Sequence, residues 1–110
     1  MNNVVKAGIY IRVASVDEAR ESYSLKEQRE CLLKYCTYKG YHVYTVYADI
    51  GFSADNTDRP EFKRMMEDVK AGNINAVLVY KLDHLIGSVK DMEAICKELN
   101  EYGCSLTVLI

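Results

Sequence analysis

Arg12 and Ser15 stand close together where an apolar run, Val4 to Val13, gives way to polar residues. An arginine guanidinium presents a planar fork of donors that matches phosphate, and a serine hydroxyl beside a bound phosphate is a candidate nucleophile. The residue between Val13 and Ser15 is Ala14, which carries no reactive group. The spacing therefore predicts a phosphate site with a hydroxyl next to it.

The bulk composition limits what such a site can belong to. A chain of 110 residues with 49% hydrophobic side chains forms one globular domain with a single core. No apolar run is long enough to cross a bilayer and the N-terminus has no signal-peptide pattern, so we expect a cytoplasmic protein. The net charge of −2 argues against a domain that binds nucleic acid through its own charge alone. The cysteines form no Cys-x-x-Cys pair and neither histidine stands at a metal-ligand spacing, so no metal is expected.

Apolar runs and helical patterns alternate along the chain. Strands are predicted at Val4–Val13, Tyr41–Tyr47, Ala76–Tyr80 and Leu106–Ile110, and the alternating second run is typical of an edge strand. Helices begin at the capping box Ser24-Leu25-Lys26-Glu27, at Asp58-Arg59-Pro60-Glu61 and at Ser88-Val89-Lys90-Asp91. This order predicts an α/β fold: a mostly parallel four-stranded sheet with helices packed on it.

Three loops should meet at the carboxyl edge of that sheet, where parallel α/β folds place their chemistry. They span residues 14–23, 49–58 and 81–87. These loops, the residues that flank them and the first helix contain the candidate site residues Arg12, Ser15, Gln28, Ser53, Arg59, Lys81, Asp83 and His84. The basic and hydroxyl side chains among them suit an anionic group. No glycine-rich phosphate loop is present, so a nucleotide cofactor is not supported.

Short motifs throughout the chain extend this interpretation. They are Tyr10-Ile11-Arg12-Val13, Ser24-Leu25-Lys26-Glu27-Gln28, Gly40-Tyr41-His42-Val43, Tyr47-Ala48-Asp49-Ile50-Gly51-Phe52-Ser53, Arg59-Pro60-Glu61-Phe62, Val69-Lys70-Ala71-Gly72 and Val77-Leu78-Val79-Tyr80-Lys81-Leu82-Asp83. In order and spacing they resemble the N-terminal catalytic domain of the serine site-specific recombinases, the resolvase and invertase family, with the large serine recombinases as the expected type.

The resemblance implies a mechanism. A serine hydroxyl of the family attacks a DNA phosphodiester, forms a 5′-phosphoserine link and later reverses the step, without a metal or other cofactor. By resemblance Arg12 and Arg59 are phosphate-binding arginines and Asp83 assists proton transfer. Gln28 supports the first loop, while Ser53 and Lys81 are candidates to position phosphate. The implied partners are DNA and further copies of the chain, as a homodimer and homotetramer of the full-length protein, with no membrane.

Three positions depart from the family pattern. The family reads Arg-Val-Ser where this chain has Arg12-Val13-Ala14, and its third loop reads Leu-Asp-Arg-x-x-Arg-Ser where this chain has His84 and Gly87 in place of the two arginines. Three explanations are open: Ser15 is the nucleophile, displaced by one position; Ala14 marks a true loss; or another hydroxyl has taken over, although Ser24 and Ser88 are better explained as helix caps and Ser53 as a structural or phosphate-positioning residue. His84 is either a partial substitute as cation or general acid, or a helix-entry histidine bonded to Asp83 or the backbone.

Two principal hypotheses follow for the function. In the first, residues 1–110 are a truncated catalytic domain of a serine recombinase whose dimerisation helix and DNA-binding domain are absent from this sequence, and Ser15 cleaves DNA. In the second, the domain is degenerate and catalytically impaired and acts as an interaction or regulatory module. A small anion-binding or nucleotide-binding α/β domain with no DNA role is a third interpretation.

Overall fold

The computed structural model describes residues 4–14, 24–52 and 58–110. The elements in chain order are β1 Lys6–Val13, α1 Leu25–Lys39, β2 His42–Ile50, α2 Pro60–Ala71, β3 Ala76–Val79, α3 Leu82–Leu85, α4 Val89–Glu101 and β4 Ser105–Val108. Strands and helices alternate as the sequence pattern predicts, apart from the additional short helix α3.

The four strands form one sheet in the order β2-β1-β3-β4, and every neighbouring pair is parallel. The predicted four-stranded parallel α/β fold is confirmed, and β2 is an edge strand as its alternating pattern indicates. Because β1 is central, its carboxyl end lies between the ends of β2 and β3. Arg12, the penultimate residue of β1, is therefore brought to the middle of one sheet edge.

Helices cover both faces of the sheet. On one face Leu32 and Cys36 of α1 pack against Ile9 and Ile11 of β1, together with small and apolar residues of β3. On the other face Tyr10, Val77 and Val79 pack against apolar side chains of α2 and α4, which include Phe62, Met65, Val69, Ile95 and Leu99. The runs in β1 and β3 are nearly continuous in apolar residues because both faces of these strands are buried.

Local signals set the helix ends. Ser24 and Glu27 form the predicted capping box, in which the Glu27 amide donates to the Ser24 hydroxyl at 3.1 Å. The first residue of α2 is Pro60, where the missing amide leaves no helical bond unmade. Gly40 and Gly72 end α1 and α2 in the left-handed conformation, with φ of 72° and 77°.

The structure differs from the sequence prediction mainly at two places along the carboxyl edge; in addition, β3 ends one residue and β4 two residues earlier than predicted. β2 continues to Ile50 instead of ending at Tyr47, so Asp49 lies in the strand and not in the following loop. Residues 82–85 form α3 instead of part of an irregular loop. A four-residue helix is too short to produce a periodic apolar pattern, which is why the sequence does not reveal it.

Gly8 in β1 gives a first test of the packing. A Cβ at this position would lie 2.7 Å from Ile74 Cδ1 and 2.9 Å from Tyr47 Cε2. Both neighbours are completely or almost completely buried, so they have little room to move. We expect Gly8→Ala to lower the free energy of unfolding by about 1–3 kcal/mol, measured by urea denaturation. A variant as stable as the unsubstituted protein would contradict this packing.

Candidate active site

The candidate site residues collect at the carboxyl edge of the sheet. Arg12 is at the end of β1, Gln28 is in the first turns of α1 and Arg59 is the N-cap of α2. Lys81 is the N-cap of α3, and Asp83 and His84 are inside that helix. Ser15 and Ser53 lie outside the described residues. Hydrogen bonds connect Arg12 and Arg59 to α3. Residues in or next to each of the three predicted loops therefore lie together at this edge.

Arg12 joins three segments through its guanidinium group. Nε donates to the His84 carbonyl at 2.8 Å, Nη2 to the Asp83 carbonyl at 3.1 Å, and Nη1 to the Phe52 carbonyl at 2.8 Å. The residue is half-buried, so part of it reaches the surface of the edge. Arg12 therefore ties the end of β1 to α3 and to the segment after β2.

Gln28 holds the backbone of Arg12. The Arg12 amide donates to Gln28 Oε1 at 3.2 Å, and Gln28 Nε2 donates to the Arg12 carbonyl at 3.0 Å. Arg12 lies beyond the last β1–β3 pair, Tyr10 with Val79, so no β3 residue is paired with it. The buried Gln28 amide supplies a donor and an acceptor there, and its predicted role in supporting the first loop stays a prediction.

Arg59 is completely buried. Its Nη1 donates to the Tyr10 hydroxyl at 2.9 Å and to the His84 carbonyl at 3.3 Å, and Nη2 donates to the Leu85 carbonyl at 2.7 Å. The guanidinium carbon is 4.4 Å from the centre of the Phe62 ring. In this geometry Arg59 fixes the last carbonyls of α3, and its predicted role as a phosphate ligand stays a prediction.

Sequence reasoning did not identify the buried hydrogen-bonded pair of Tyr10 and Asp49 next to Arg59. The Tyr10 hydroxyl donates to Asp49 Oδ2 at 2.8 Å, and the same carboxylate accepts from the Glu61 and Phe62 amides at 3.0 Å each. Asp49 therefore satisfies the first free amides of α2, whose N-cap, Arg59, makes no capping bond with its side chain. The available signal was an arginine, which is not a capping type, directly before Pro60, together with the only carboxylate of β2.

The third loop contains both an exposed carboxylate and a half-buried histidine. Asp83 is exposed, whereas His84 is half-buried with its ring stacked on Tyr80, at 6.4 Å between ring centroids and 16° between planes. The Lys81 carbonyl accepts from the His84 amide at 3.1 Å. His84 thus lies within α3 and beside an aromatic ring, and its carbonyl is the acceptor that Arg12 and Arg59 share.

Known proteins are similar to this chain in both sequence and fold. The protein-family model of the resolvase N-terminal domain matches residues 7–110 of this sequence. The chain belongs to the resolvase family. The N-terminal catalytic domain of TP901-1 integrase is similar to it with a TM-score of 0.89 and 34% identity over 94% of this chain and 77% of that one.

Two further relatives come from Bacillus and one of its phages. An uncharacterized immunity region protein of Bacillus phage phi105 is 37% identical over 64% of this chain and 87% of its own length. A candidate DNA recombinase of Bacillus subtilis (strain 168) is 32% identical over 89% of this chain, which spans only 19% of that protein. Family and fold are those of the serine recombinases, enzymes of site-specific DNA recombination that bind DNA and oligomerise.

Two of the three positions at which the sequence departs from the expected family pattern are exposed along this edge. β1 ends at Val13, whose carbonyl accepts from the Gly51 amide at 2.9 Å, and Ala14 is an exposed bend. Gly87 is exposed and offers no side chain to the loop that carries His84.

Neither a metal centre nor a membrane span is found in the part of the resolvase domain that the structure describes. Residues 4–14, 24–52 and 58–110 bring together no group of His, Cys, Asp and Glu side chains that could bind a metal ion. Over the same ranges, every helix is too short or too polar to reach across a lipid bilayer.

Proposed function

We propose that this resolvase domain cleaves DNA during site-specific recombination, with Ser15 as the nucleophile and Arg12 as the phosphate ligand next to it. The observation that carries the proposal is the anchoring of Arg12 at the end of β1. Gln28 binds its backbone and α3 binds its side chain, which fixes the guanidinium two residues before Ala14. Such rigidity at the point where charge develops is what a preorganised catalytic group requires.

The bend at Ala14 supports Ser15 as the nucleophile. Alternation of side chains between the two faces holds only within a strand, and β1 ends at Val13. If β1 continued, Ala14 and not Ser15 would lie on the same side as Arg12. Because the strand ends at Val13, this alternation gives no expectation for residue 15. A shift of one position is compatible with the hydroxyl reaching a phosphate held by Arg12.

In the proposed step the Ser15 oxygen attacks the phosphorus and displaces the 3′-oxygen of the neighbouring nucleotide. One P–O bond forms and one breaks, so the 5′-phosphoserine link stores the energy needed for rejoining. The serine proton is lost as the bond forms, and the departing 3′-oxygen takes up a proton. We assign the exposed Asp83 and the neighbouring His84 to these transfers.

The replaced arginines predict a slow enzyme. Loss of one preorganised donor to a developing oxyanion typically costs about 2.7–4 kcal/mol of transition-state stabilisation. His84 replaces one of the family's two third-loop arginines, and Gly87 supplies no substitute for the other.

Lys81 and Ser53 are the proposed additional phosphate contacts. We further propose a longer, cytoplasmic protein that acts on DNA as a homodimer and homotetramer, with residues 1–110 as its catalytic domain.

A second candidate function is a recombinase domain that binds partners but does not cut DNA. It is favoured by the complete burial of Arg59, whose guanidinium donates to protein groups. The chain also covers most of a phage immunity region protein, which is consistent with a regulatory module of this size. The two functions differ in whether the unaltered protein forms a covalent bond to DNA.

Covalent attachment to DNA separates the two functions. We expect the natural gene product, incubated with a plasmid library of the genomic DNA that flanks its own gene, to retain labelled DNA after denaturation in detergent. Combined Ala14→Ser, His84→Arg and Gly87→Arg should increase the amount of adduct about tenfold or more, because two cationic donors are restored. An adduct that appears only in the triply substituted protein would contradict the first function and support the second.

A further inference from the structure

The imidazole of His84 lies against the ring of Tyr80 at the end of β3. The two ring centroids are 6.4 Å apart and the planes differ by 16°, a stacked arrangement at a distance typical of aromatic pairs. Tyr80 packs against the cluster that includes Ile9 and Leu32, between the sheet and α1, and its carbonyl accepts from the Ile110 amide at 2.9 Å. The core therefore holds the Tyr80 ring in place, and His84 rests on that ring.

The backbone of His84 is fixed separately from its ring. Its amide donates to the Lys81 carbonyl at 3.1 Å, and its carbonyl accepts from Arg12 Nε at 2.8 Å and from Arg59 Nη1 at 3.3 Å. These bonds determine where the side chain begins. They leave its two torsions open, and the second torsion of a histidine is broad. The contact with Tyr80 restrains the orientation that the backbone does not set.

We infer that Tyr80 is a positioning residue, whose ring holds the His84 imidazole with Nε2 toward the reacting oxygens. Nδ1 of His84 is shielded from water, so Nε2 is the ring nitrogen that exchanges a proton with DNA. The inference rests on the proposed function, in which His84 takes part in proton transfer, for its effect on DNA cleavage. Its structural part concerns only the orientation of one ring and can be measured separately.

The strength of an aromatic pair sets the size of the expected effect. A group that transfers a proton must lie within hydrogen-bond reach of the reacting oxygen, so only one orientation of the His84 ring is productive. The stabilisation from an aromatic pair changes an equilibrium between two ring orientations by about twofold to tenfold. Without the Tyr80 ring, the productive orientation of His84 loses about that much of its population.

Tyr41 provides a matched control. Its ring contacts the ring of Tyr35 edge-to-face, with 6.1 Å between centroids and 73° between planes. Tyr41 is half-buried like Tyr80 and packs against the same cluster on the α1 side of the sheet. It directly precedes β2 and therefore lies at the amino edge, away from Arg12. Removing either ring deletes one aromatic pair from this cluster, but of the two only Tyr80 is stacked on His84.

The test compares Tyr80→Leu, Tyr80→Phe and Tyr41→Leu in the natural gene product. The imidazole C–H signals of His84 are followed by NMR and are assigned by their loss in His84→Ala. We expect Tyr80→Leu to move these signals downfield, because the ring current of the tyrosine is lost. Tyr80→Phe keeps the ring and should leave them nearly in place, and Tyr41→Leu should leave them unchanged.

Adduct formation at saturating DNA measures the effect on cleavage. We expect Tyr80→Leu to slow it about threefold to tenfold, and Tyr80→Phe and Tyr41→Leu to stay within about twofold of the unsubstituted protein. In a protein that already carries His84→Ala, Tyr80→Leu should slow the reaction no further, because its effect acts through the imidazole.

Three results would overturn the inference: His84 signals that are unchanged in Tyr80→Leu, a Tyr80→Phe protein that behaves like Tyr80→Leu, or equal slowing by Tyr80→Leu with and without His84→Ala. If Tyr80→Leu does not fold, nuclear Overhauser contacts between the two rings of the unsubstituted protein test the stacking, and their absence would contradict it. If the unsubstituted protein forms no adduct with DNA, the proposed function fails, and the His84 signals alone decide whether Tyr80 holds this ring.

Discussion

We expect the Ser15→Ala protein to form no covalent adduct with DNA under conditions in which the unsubstituted protein does. Alanine at this position leaves no hydroxyl within the Arg12-to-Ser15 segment, because residue 14 is already alanine. The oxygen that would bond to phosphorus is then missing, so the loss is complete and not graded. The measurement is retention of labelled DNA on the protein after denaturation, with DNA binding before denaturation followed in parallel.

Ser105→Ala is the matched control for this substitution. Ser105 is an exposed serine at the start of β4, at the amino edge of the sheet and therefore on the opposite side from Arg12. We expect this variant to form as much adduct as the unsubstituted protein. Adduct formation by Ser15→Ala would falsify the assignment of the nucleophile.

Arg59→Met should produce the largest loss of stability of any single substitution at this edge. The change removes the guanidinium that donates to the Tyr10 hydroxyl and to the His84 and Leu85 carbonyls. It also removes the cation near the Asp49 carboxylate. Breaking a buried charged network in this way costs about 3–5 kcal/mol. We expect that decrease in the free energy of unfolding, measured by urea denaturation.

Arg64→Met, on the same helix, is the control. Arg64 is half-exposed and pairs with Glu61 at 2.9 Å across one turn, an arrangement that contributes little to stability. We expect its substitution to cost less than about 1 kcal/mol. Equal losses in the two variants would contradict the structural role of the Arg59 network.

Much of the fold could be predicted because local signals determine it. The capping box at Ser24, the proline at position 60 and the glycines after α1 and α2 act within a few residues of themselves. The apolar runs of β1 and β3 identify buried strands in the same way. The end of β2 and the short helix α3 depend on contacts with distant segments, so their boundaries were not evident.

The convergence of the candidate residues at the carboxyl edge could be predicted, but the hydrogen bonds between them could not. The parallel sheet order brings Arg12, Arg59 and α3 together, and this follows from the alternation of elements. The buried position of Arg59 and its bond to Tyr10 depend on how α2 packs on the other face of the sheet. No sequence spacing reports such a contact across 49 residues, so the pattern alone makes Arg59 resemble a surface phosphate ligand.

The most direct test of the central claim is to identify the residue that carries DNA after cleavage. The natural gene product is incubated with DNA, denatured and digested with nuclease and protease, and its phosphorylated peptides are sequenced by mass spectrometry. We expect a nucleotide remnant on Ser15, within the peptide that follows Arg12. A remnant on another residue, or no remnant in a protein that binds DNA, would contradict the account.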